Sequence, residues 1–381
     1  MKILFDHQAF EMQRLGGVSN SFVQLISKLP SHVDYQIALS ESDNVHLRDS
    51  GLMEVAPMKD PASRFILNRH FLGQGILYEK FGKIFPSMTS CGRNRLYAIK
   101  MLKQGDFDIF HPTFFDDYFV DYLNGKPFVL TVHDMIPELF FKKNDKQTVR
   151  KKRLVHQASH IIAVSENTKS DIMELLGVPE HKISVIYHGA PDVAIRTEEE
   201  PLVDHRYILY VGDRKSYKNF MPMMKALTPV LSRDKGLYVV CTGNEFSQNE
   251  KTFFQERNIS DQIIHIRPKD NGMMNLYAHA LCFIYPSLYE GFGIPILEAY
   301  QANCPVLLNE KSCFPEIAQD AAVYFNLDHQ KTNLTEVVTR FLSQSQKDRE
   351  QLIQRQQLRL SYFSWEKSAR QLIQVYESVL C

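Results

Sequence analysis

Short apolar runs alternate with helix-period segments along the whole chain. The runs in the first half are Ile3–Phe5, Tyr35–Leu39, Ile109–His111, Phe128–Val132, Ile161–Val164 and Ile183–Ile186. Those in the second half are Tyr207–Val211, Leu237–Cys241, Ile263–Ile266, Cys282–Tyr285, Val306–Leu308 and Val323–Phe325. They are rich in Val, Ile, Phe and Tyr without polar alternation, which is typical of strands covered on both faces. This repeated strand–helix order predicts an α/β protein with parallel, doubly wound sheets.

A polar, acidic stretch separates the two series of strands. It runs from Pro191 to Pro201, and prolines at both ends of a polar segment are typical of a linker. We therefore predict one Rossmann-like domain over residues 1–195 and a second over residues 196–365. Two such domains facing a cleft would bind ligands at the carboxyl ends of their strands. The remaining tail, about 366–381, has the apolar spacing of a helix.

Composition restricts the class of protein. The chain has 381 residues, of which 44% are hydrophobic and 23% charged, and this balance excludes a disordered or low-complexity protein. Lys and Arg equal Asp and Glu at 44 each, which argues against a general nucleic-acid coat. The six cysteines lack C-x-x-C spacing, and the chain shows neither a secretory signal nor a long apolar span. We therefore predict a cytoplasmic protein with free thiols.

The densest candidate chemistry follows the strand that ends at Tyr285. The loop contains Glu290 and the run Gly291-Phe292-Gly293, and Ile294-Pro295 then suits the start of a helix that carries Glu298 in its first turn. Bare amides at a helix N-terminus form an anion site, and two carboxylates beside it suit a ligand with hydroxyl groups. The alternative is a glycine turn with one solvated and one capping glutamate.

A second loop has a similar pattern. Gly212 follows a strand, and the cations Arg214, Lys215 and Lys218 precede Asn219 and the next helix. Three cations in five residues could clamp a diphosphate, and the alternative is an exposed basic turn.

Two weaker signals lie in the first half. The pair Gly16-Gly17 between the first strand and helix allows close backbone approach to a phosphate or sugar, or simply makes a tight turn. His133 ends an apolar strand beside Asp134, which would orient the imidazole or pack elsewhere. A dinucleotide site is poorly supported because the full G-x-G-x-x-G is absent, and no P-loop or H-E-x-x-H occurs.

These stretches, in this order, resemble the family-4 retaining glycosyltransferases with the GT-B fold. The most specific likeness is the pair Glu290 and Glu298, seven residues between them, within a run that continues to Pro305-Val306. The supporting stretches are Val164–Asp171, His188-Gly189, Lys218-Asn219, Pro315-Glu316 and Ala321-Ala322. The likeness covers nearly the whole chain and implies transfer of a sugar from a nucleotide diphosphate to an acceptor hydroxyl with retained anomeric configuration.

The resemblance implies a role for each matching residue. Glu298 would hold the donor ribose, and Glu290 with the amides of Phe292 and Gly293 would hold the transferred sugar. Lys218 would meet the diphosphate, Gly17 would approach the phosphate or acceptor, and His133 would contact the donor sugar near the reacting centre. The remaining implied donor contacts are Gly212, Arg214, Asn219, Gly291 and Ile294. No metal or cofactor is expected, because cations and helix N-termini neutralise the leaving diphosphate.

The chain departs from the family pattern at a few positions. Asp213 stands where a basic residue often follows the glycine, so either Arg214 would substitute for it or Lys218 would act with less help. Asn303-Cys304 replaces the glycine before Pro305. Glu290 is the candidate nucleophile for double displacement, whereas front-face attack assisted by the leaving phosphate is the commoner interpretation of the family. The sequence leaves both open. The tail around Trp365 resembles the family's C-terminal segment, which returns to the first, acceptor-side domain.

The acceptor side carries two basic clusters. The segment Arg64–Lys103 combines cations with aromatic and aliphatic residues, a composition typical of a membrane-surface segment or of solvated basic helices. The second cluster contains Lys142, Lys143, Lys146, Arg150, Lys151, Lys152 and Arg153. We therefore expect a UDP- or GDP-sugar donor and a glycan or lipid-linked glycan acceptor, handled in the cytoplasm or at the inner membrane face during surface polysaccharide or lipopolysaccharide assembly. The rival hypotheses are a nucleotide-sugar epimerase of the same fold and a catalytically silent nucleotide-sugar-binding scaffold.

Overall fold

The chain forms two compact units. The computed structural model describes residues 1–58, 87, 89–141, 145–191, 200–214, 216–269, 272–327 and 333–381. The first unit contains Met1–Val164, Thr168–Tyr187 and Trp365–Cys381, and the second contains Ser165–Asn167 and His188–Ser364. The division between Tyr187 and His188 precedes the predicted boundary at residue 195, which itself lies outside the described residues.

The described strands lie close to the predicted apolar runs. Those of the first unit are β1 (Lys2–Asp6), β2 (Asp34–Ala38), β3 (Ile109–His111), β4 (Val129–Val132), β5 (His160–Ala163) and β6 (Ile183–Val185). Those of the second are β7 (Arg206–Tyr210), β8 (Leu237–Cys241), β9 (Ile263–His265), β10 (Cys282–Tyr285), β11 (Val306–Asn309) and β12 (Val323–Phe325). Their pairings are parallel, which confirms the predicted fold class.

Helices connect most of these strands. In chain order they are α1 (Gln8–Met12), α2 (Gly17–Ser27), α3 (Val45–Ser50), α4 (Ser90–Gln104), α5 (Ile136–Phe140), α6 (Lys146–Gln157), α7 (Glu166–Leu176), α8 (Phe220–Arg233), α9 (Gln248–Glu256), α10 (Gly272–His279), α11 (Ile294–Gln301), α12 (Phe314–Ala318), α13 (Leu334–Leu342), α14 (Gln346–Leu360) and α15 (Trp365–Leu380). Of the helices described, none is long and apolar enough to span a bilayer.

The first unit is organised around β1. Its ladders run β2-β1-β3 and β4-β5-β6, and a parallel bridge between Phe110 and Phe128 joins the two. Helix α15 packs on this unit, since Trp365, Leu372 and Tyr376 belong to the same buried cluster as Phe5. Apolar residues at helical spacing give α15 one buried face, although that spacing alone could not decide which unit the face would cover.

The second unit has a single parallel sheet in the order β12-β11-β10-β7-β8-β9. The chain builds outwards from β7 to β9 and then returns to the other side of β7 with β10. Strands β7 and β10 are therefore neighbours at a topological switch point, where open α/β sheets bind ligands beyond the carboxyl ends of their strands. The loops that follow these two strands contain most of the predicted donor-site residues.

Candidate active site

Two predicted site residues from the neighbouring loops form an ion pair. Lys218 ends the 3₁₀ turn Ser216–Lys218 after β7, and Glu290 lies in the loop after β10. Lys218 Nζ lies 2.7 Å from Glu290 Oε1, and the two side chains are only 16% and 11% exposed. The pair joins the cation expected to meet a diphosphate to the carboxylate expected to hold a sugar, directly at the switch point.

Tyr285 interacts with both members of this ion pair. Its hydroxyl is hydrogen-bonded to the Glu290 carboxylate, and the Lys218 ammonium lies 5.7 Å from the centre of its ring. Burial, followed by the charge of Glu290, raises the pKa of the Tyr285 hydroxyl well above its usual value, so it stays protonated and donates. The carboxylate is therefore held by a cation and a neutral donor together.

The glycine-containing loop leads into α11 as predicted. Gly293 has a φ of 93°, a left-handed conformation that favours glycine, and it immediately precedes Ile294, the first residue of the helix. Phe292 is buried in edge-on contact with the rings of His188 at 5.0 Å and Phe363 at 5.7 Å. The aromatic contacts anchor the loop, while the α11 N-terminus supplies the positive end of a helix dipole.

Glu298 lies in the second turn of α11, and the expected first-turn position is wrong because the helix begins at Ile294. Tyr277 Oη donates to Glu298 Oε2 across 3.2 Å. Burial raises the pKa of the Glu298 carboxyl, and the Tyr277 hydrogen bond opposes this shift more weakly. A desolvated carboxylate with one neutral donor retains capacity to accept hydroxyl groups from a ligand.

The Arg214 guanidinium, predicted to meet a diphosphate, is bound by the loop after β8 and by Glu250. Its guanidinium donates to the Glu250 carboxylate at 2.8 Å and to the Thr242 carbonyl at 3.2 Å. It also donates to the carbonyls of Asn244 and Glu245. The side chain is only 6% exposed and stacks 4.7 Å from the Phe246 ring centre. These bonds leave little donor capacity for a ligand.

The other predicted residues of this loop shape the backbone. Gly212 has a left-handed φ of 111°. A Cβ atom added at Gly243 would lie only 2.4 Å from the Gly212 carbonyl oxygen, so the loops after β7 and β8 are in close backbone contact at these two glycines. Asn219 is buried in a left-handed conformation immediately before α8. Lys215 lies outside the described residues.

The predicted residues of the first unit are Gly17, which begins α2, and His133, which directly follows β4. Gly17 is exposed at the first position of α2, and a side chain there would meet nothing within 4 Å. Steric crowding within this chain therefore gives no reason for a glycine at position 17, whereas a side chain at position 16 would collide with Gln13. The exposed amides at the start of α2 form a helix N-terminus able to face an anion.

His133 is desolvated and neutral near pH 7. Burial, followed by the charge of nearby Lys151, lowers its pKa to about 4. Its ring meets Phe22 edge-on at 5.8 Å. The Asp134 carboxylate accepts the Ile136 amide at 2.9 Å, which stabilises the turn that leads into α5. A neutral imidazole can accept or donate a hydrogen bond to a sugar hydroxyl without carrying charge.

Lys151 is a candidate site residue that is buried, although the sequence suggests an exposed basic cluster. It was predicted within a surface basic cluster, but its side chain is fully buried in an ion pair with Glu138 at 2.8 Å. Its ammonium also donates to the Asp134 carbonyl at 2.9 Å. Lys151 therefore fixes the turn that follows His133. Its spacing of three and four residues from the buried Leu154 and Val155 on α6 was the available signal.

A buried histidine, His111, connects α15 to the strand that precedes His133. His111 Nδ1 lies 2.5 Å from Tyr376 Oη, and its Nε2 lies 2.9 Å from Thr131 Oγ1. Burial lowers the pKa of His111 to about 3, with a smaller contribution from His133. The sequence shows His111 at a strand end, but nothing in it indicates the distant Tyr376 partner.

These two histidines predict acid lability of the first unit. The unfolded chain binds protons near pH 6.5, whereas folded His111 and His133 do so only near pH 3 and pH 4. Their stability contribution is therefore complete above pH 6.5 and falls as pH decreases towards those folded values. From pH 7 to pH 5 we expect the unfolding free energy to fall by about 2 kcal/mol for each histidine. Denaturant titrations at both pH values measure this, and an unchanged pH dependence in the double variant His111→Asn/His133→Asn would contradict it.

Two family models match the chain in tandem. A model described as Glycosyltransferase Family 4 matches residues 15–192, and one described as Glycosyl transferases group 1 matches residues 194–359. An O-antigen chain mannosyltransferase of Salmonella typhimurium is 30% identical over 210 residues, which span 53% of this chain and 58% of that protein. A GDP-mannose:cellobiosyl-diphosphopolyprenol alpha-mannosyltransferase of Xanthomonas campestris is 26% identical, covering 69% of this chain and 70% of the relative.

Solved structures share the fold across the full chain. Anabaena HepE in complex with UDP and glucose superposes with a TM-score of 0.71 at 15% identity, covering 99% of this chain and 100% of HepE. WaaG, a glycosyltransferase involved in lipopolysaccharide biosynthesis, gives a TM-score of 0.68 at 13% identity, with 98% and 99% covered. At these identities the likeness establishes the two-domain GT-B fold.

Proposed function

We propose, from the premise that this chain belongs to the group 1 glycosyltransferases with the GT-B fold, that it transfers a hexose from a nucleotide sugar to a lipid-linked glycan. GDP-mannose is the favoured donor, because several relatives are named mannosyltransferases and two of them are named for GDP-mannose. The observation that carries the proposal is the Lys218–Glu290 pair at the switch point, with Glu290 in the loop that leads into α11, the helix that contains Glu298. A UDP-sugar is the alternative donor.

Each residue of this site fits one part of such a donor. Lys218 uses one of its three N–H donors on Glu290, so the other two remain to meet a diphosphate. The α11 N-terminus adds a positive dipole end, and Glu298 accepts from ribose hydroxyls. Cation and dipole together stabilise the charge that develops on the leaving diphosphate, so the proposed reaction needs no metal ion.

Glu290 is assigned to holding the sugar in a retaining front-face reaction. Its carboxylate already accepts from Lys218 and Tyr285, and both contacts withdraw electron density from the oxygens. Such a carboxylate is a weak nucleophile but a well-oriented acceptor for sugar hydroxyls. In this proposal the acceptor oxygen attacks on the face from which the diphosphate departs, and the phosphate oxygen receives its proton.

A transfer assay separates this proposal from its rivals. The protein is incubated in EDTA with GDP-mannose or a panel of UDP-sugars and a diphosphate-linked lipid glycan. Product is measured by chromatography and its anomeric configuration by NMR. We expect one donor to yield an elongated glycan with retained configuration. Conversion of the donor without acceptor would instead indicate an epimerase, and binding without any turnover would indicate a scaffold; either result contradicts the proposal.

We also propose that the first unit contacts a membrane surface. Among the described residues, the exposed large apolar side chains belong to this unit, except for Leu202, Leu358 and Tyr362. Most of the predicted segment Arg64–Lys103 lies outside the described residues, but its last part, α4, exposes Leu96 and Tyr97. A second concentration occurs at α5–α6, here called the basic-apolar patch: Leu139, Phe140, Phe141, Lys146, Val149 and Arg153. Interleaved cations and apolar groups suit an anionic lipid surface.

Co-sedimentation with vesicles of phosphatidylglycerol and phosphatidylcholine tests this contact. We expect salt-sensitive binding that the variant Phe141→Ser/Lys146→Gln/Arg153→Gln weakens by about tenfold or more, because each surface cation contributes about 1 kcal/mol. The matched control is Leu358→Ser in the second unit, which removes a side chain that is 75% exposed. Equal binding by both variants would remove the patch from the proposal, and absence of binding by the unchanged protein would reject membrane contact.

A further inference from the structure

Three consecutive carbonyl groups of the loop after β10 accept hydrogen bonds from side chains. Ser312 Oγ donates to the Glu290 carbonyl at 2.8 Å, and Ser165 Oγ donates to the Gly291 carbonyl at 2.7 Å. Cys313 Sγ lies 3.2 Å from the carbonyls of both Glu290 and Phe292. The backbone of this loop is thus fixed by side-chain donors from two other segments of the second unit.

Holding these carbonyls also fixes the amides that follow them. The peptide bonds of the loop are trans. In a planar trans peptide, the carbonyl of one residue and the N–H of the next point in opposite directions. The directions of the Gly291, Phe292 and Gly293 N–H groups are therefore set by Ser165, Ser312 and Cys313, although none of these three side chains belongs to the loop.

We propose that Ser165, Ser312 and Cys313 form a carbonyl clamp that positions the amides of residues 291–293 for the sugar end of the donor. The inference rests on the proposed function and adds three positioning residues to it. Amides aimed in advance at a ligand act without reorganising during the reaction, so their alignment affects turnover more than affinity for the nucleotide.

The backbone conformation, burial and donor capacity of the clamp residues suit a positioning role. Ser312 adopts a left-handed φ of 53°, which is costly for a non-glycine residue, and its hydroxyl also accepts the Glu290 amide at 3.3 Å. Ser165 and Cys313 are fully buried. Burial raises the pKa of the Cys313 thiol well above its usual value, so the sulfur remains protonated and able to donate.

Substitutions at the clamp separate positioning from folding. In Ser165→Ala, Ser312→Gly and Cys313→Ala, kcat/KM for the donor is expected to fall about tenfold or more, because buried carbonyls lose their donors. The affinity for the nucleoside diphosphate, measured by calorimetry, should stay within about twofold. Ser312→Gly removes the hydroxyl while it relieves the left-handed strain, so a loss there reports the hydrogen bond. Cys313→Ser restores a hydrogen-bond donor and should recover most of the activity that Cys313→Ala loses.

Thr335→Val is the matched control, because Thr335 Oγ1 donates to the Ala226 carbonyl at 2.6 Å elsewhere in the same unit. It should leave kcat/KM unchanged. Clamp variants with unchanged kcat/KM, or with parallel losses of nucleotide affinity and turnover, would overturn the clamp while leaving the proposed function intact. If the unchanged protein transferred no sugar and bound no nucleotide sugar, the proposed function would fail, and the clamp with it.

Discussion

Replacing Glu290 with glutamine is expected to lower the rate of sugar transfer by about 10²–10³-fold, the loss that follows removal of one preorganised polar group from an active site. The substitution keeps the size of the side chain but removes the charge that Lys218 and Tyr285 hold in place. The sugar then loses its orienting acceptor, and the Lys218 ammonium loses its position. Steady-state kinetics with the preferred donor and acceptor measure the effect.

A double-mutant cycle shows whether Glu290 and Lys218 act as a unit. Lys218→Met should cause a loss of similar size, and the double variant should lose much less than the product of the two single effects. Glu180→Gln is the control, since it breaks the exposed Lys169–Glu180 pair at 2.9 Å and should leave transfer unchanged. Multiplicative losses, or a Glu290→Gln rate within a few fold of the unchanged protein, would show that the ion pair does not organise the reaction.

Glu298→Ala is expected to weaken nucleotide binding by about 10–100-fold, because a hydrogen bond to a charged group contributes roughly 1.5–3 kcal/mol. Burial raises the pKa of this carboxyl above its usual value of 4.5. The ionised form accepts hydrogen bonds from ribose hydroxyls best. The affinity for the nucleoside diphosphate should therefore be highest at neutral pH and should decline as pH falls through the raised pKa. Calorimetric titration of the nucleoside diphosphate at neutral and acidic pH measures both effects.

Tyr277→Phe provides the comparison for this carboxylate. It removes the hydroxyl that donates to Glu298 Oε2 but leaves the charge, so nucleotide affinity should change much less than in Glu298→Ala. The acidic decline should be absent from Glu298→Ala, whose affinity is already low. If Glu298→Ala bound nucleotide as tightly as the unchanged protein, the assignment of Glu298 to the ribose would be wrong.

Much of the fold was predictable because its signals are local. Apolar runs without polar alternation locate the strands, and Gly293-Ile294-Pro295 locates the start of α11. The predicted boundary at residue 195 lies later in the chain than the observed division at His188. The prediction followed the charged stretch after Pro191, which has the composition of a linker. The packing of α15 on the first unit was indicated by the resemblance of the Trp365 segment to the family's C-terminal segment, because the period of its apolar residues does not specify which unit the helix covers.

The site was predictable where a loop and its strand determine the position of a side chain. Lys218 and Glu290 meet because β7 and β10 are adjacent. The contacts of Arg214 were not predictable, because charge alone does not reveal that Glu250 and the carbonyls after β8 occupy its guanidinium. The roles of Ser312 and Cys313 depend on contacts with a loop about twenty residues away, and small polar side chains give no periodic signal of such contacts.

The central claim is that the sugar donor binds beyond the carboxyl ends of β7 and β10, and a crystal structure of the protein grown with GDP-mannose and EDTA tests it most directly. The account predicts density for the diphosphate within hydrogen-bonding distance of Lys218 Nζ, with the ribose on Glu298 and the sugar beside Glu290 and the amides of residues 291–293. If GDP-mannose leaves the site empty, crystals grown with a UDP-sugar decide between the two donors. A nucleotide sugar bound away from these loops, or bound there only when a divalent metal ion is supplied, would contradict the account.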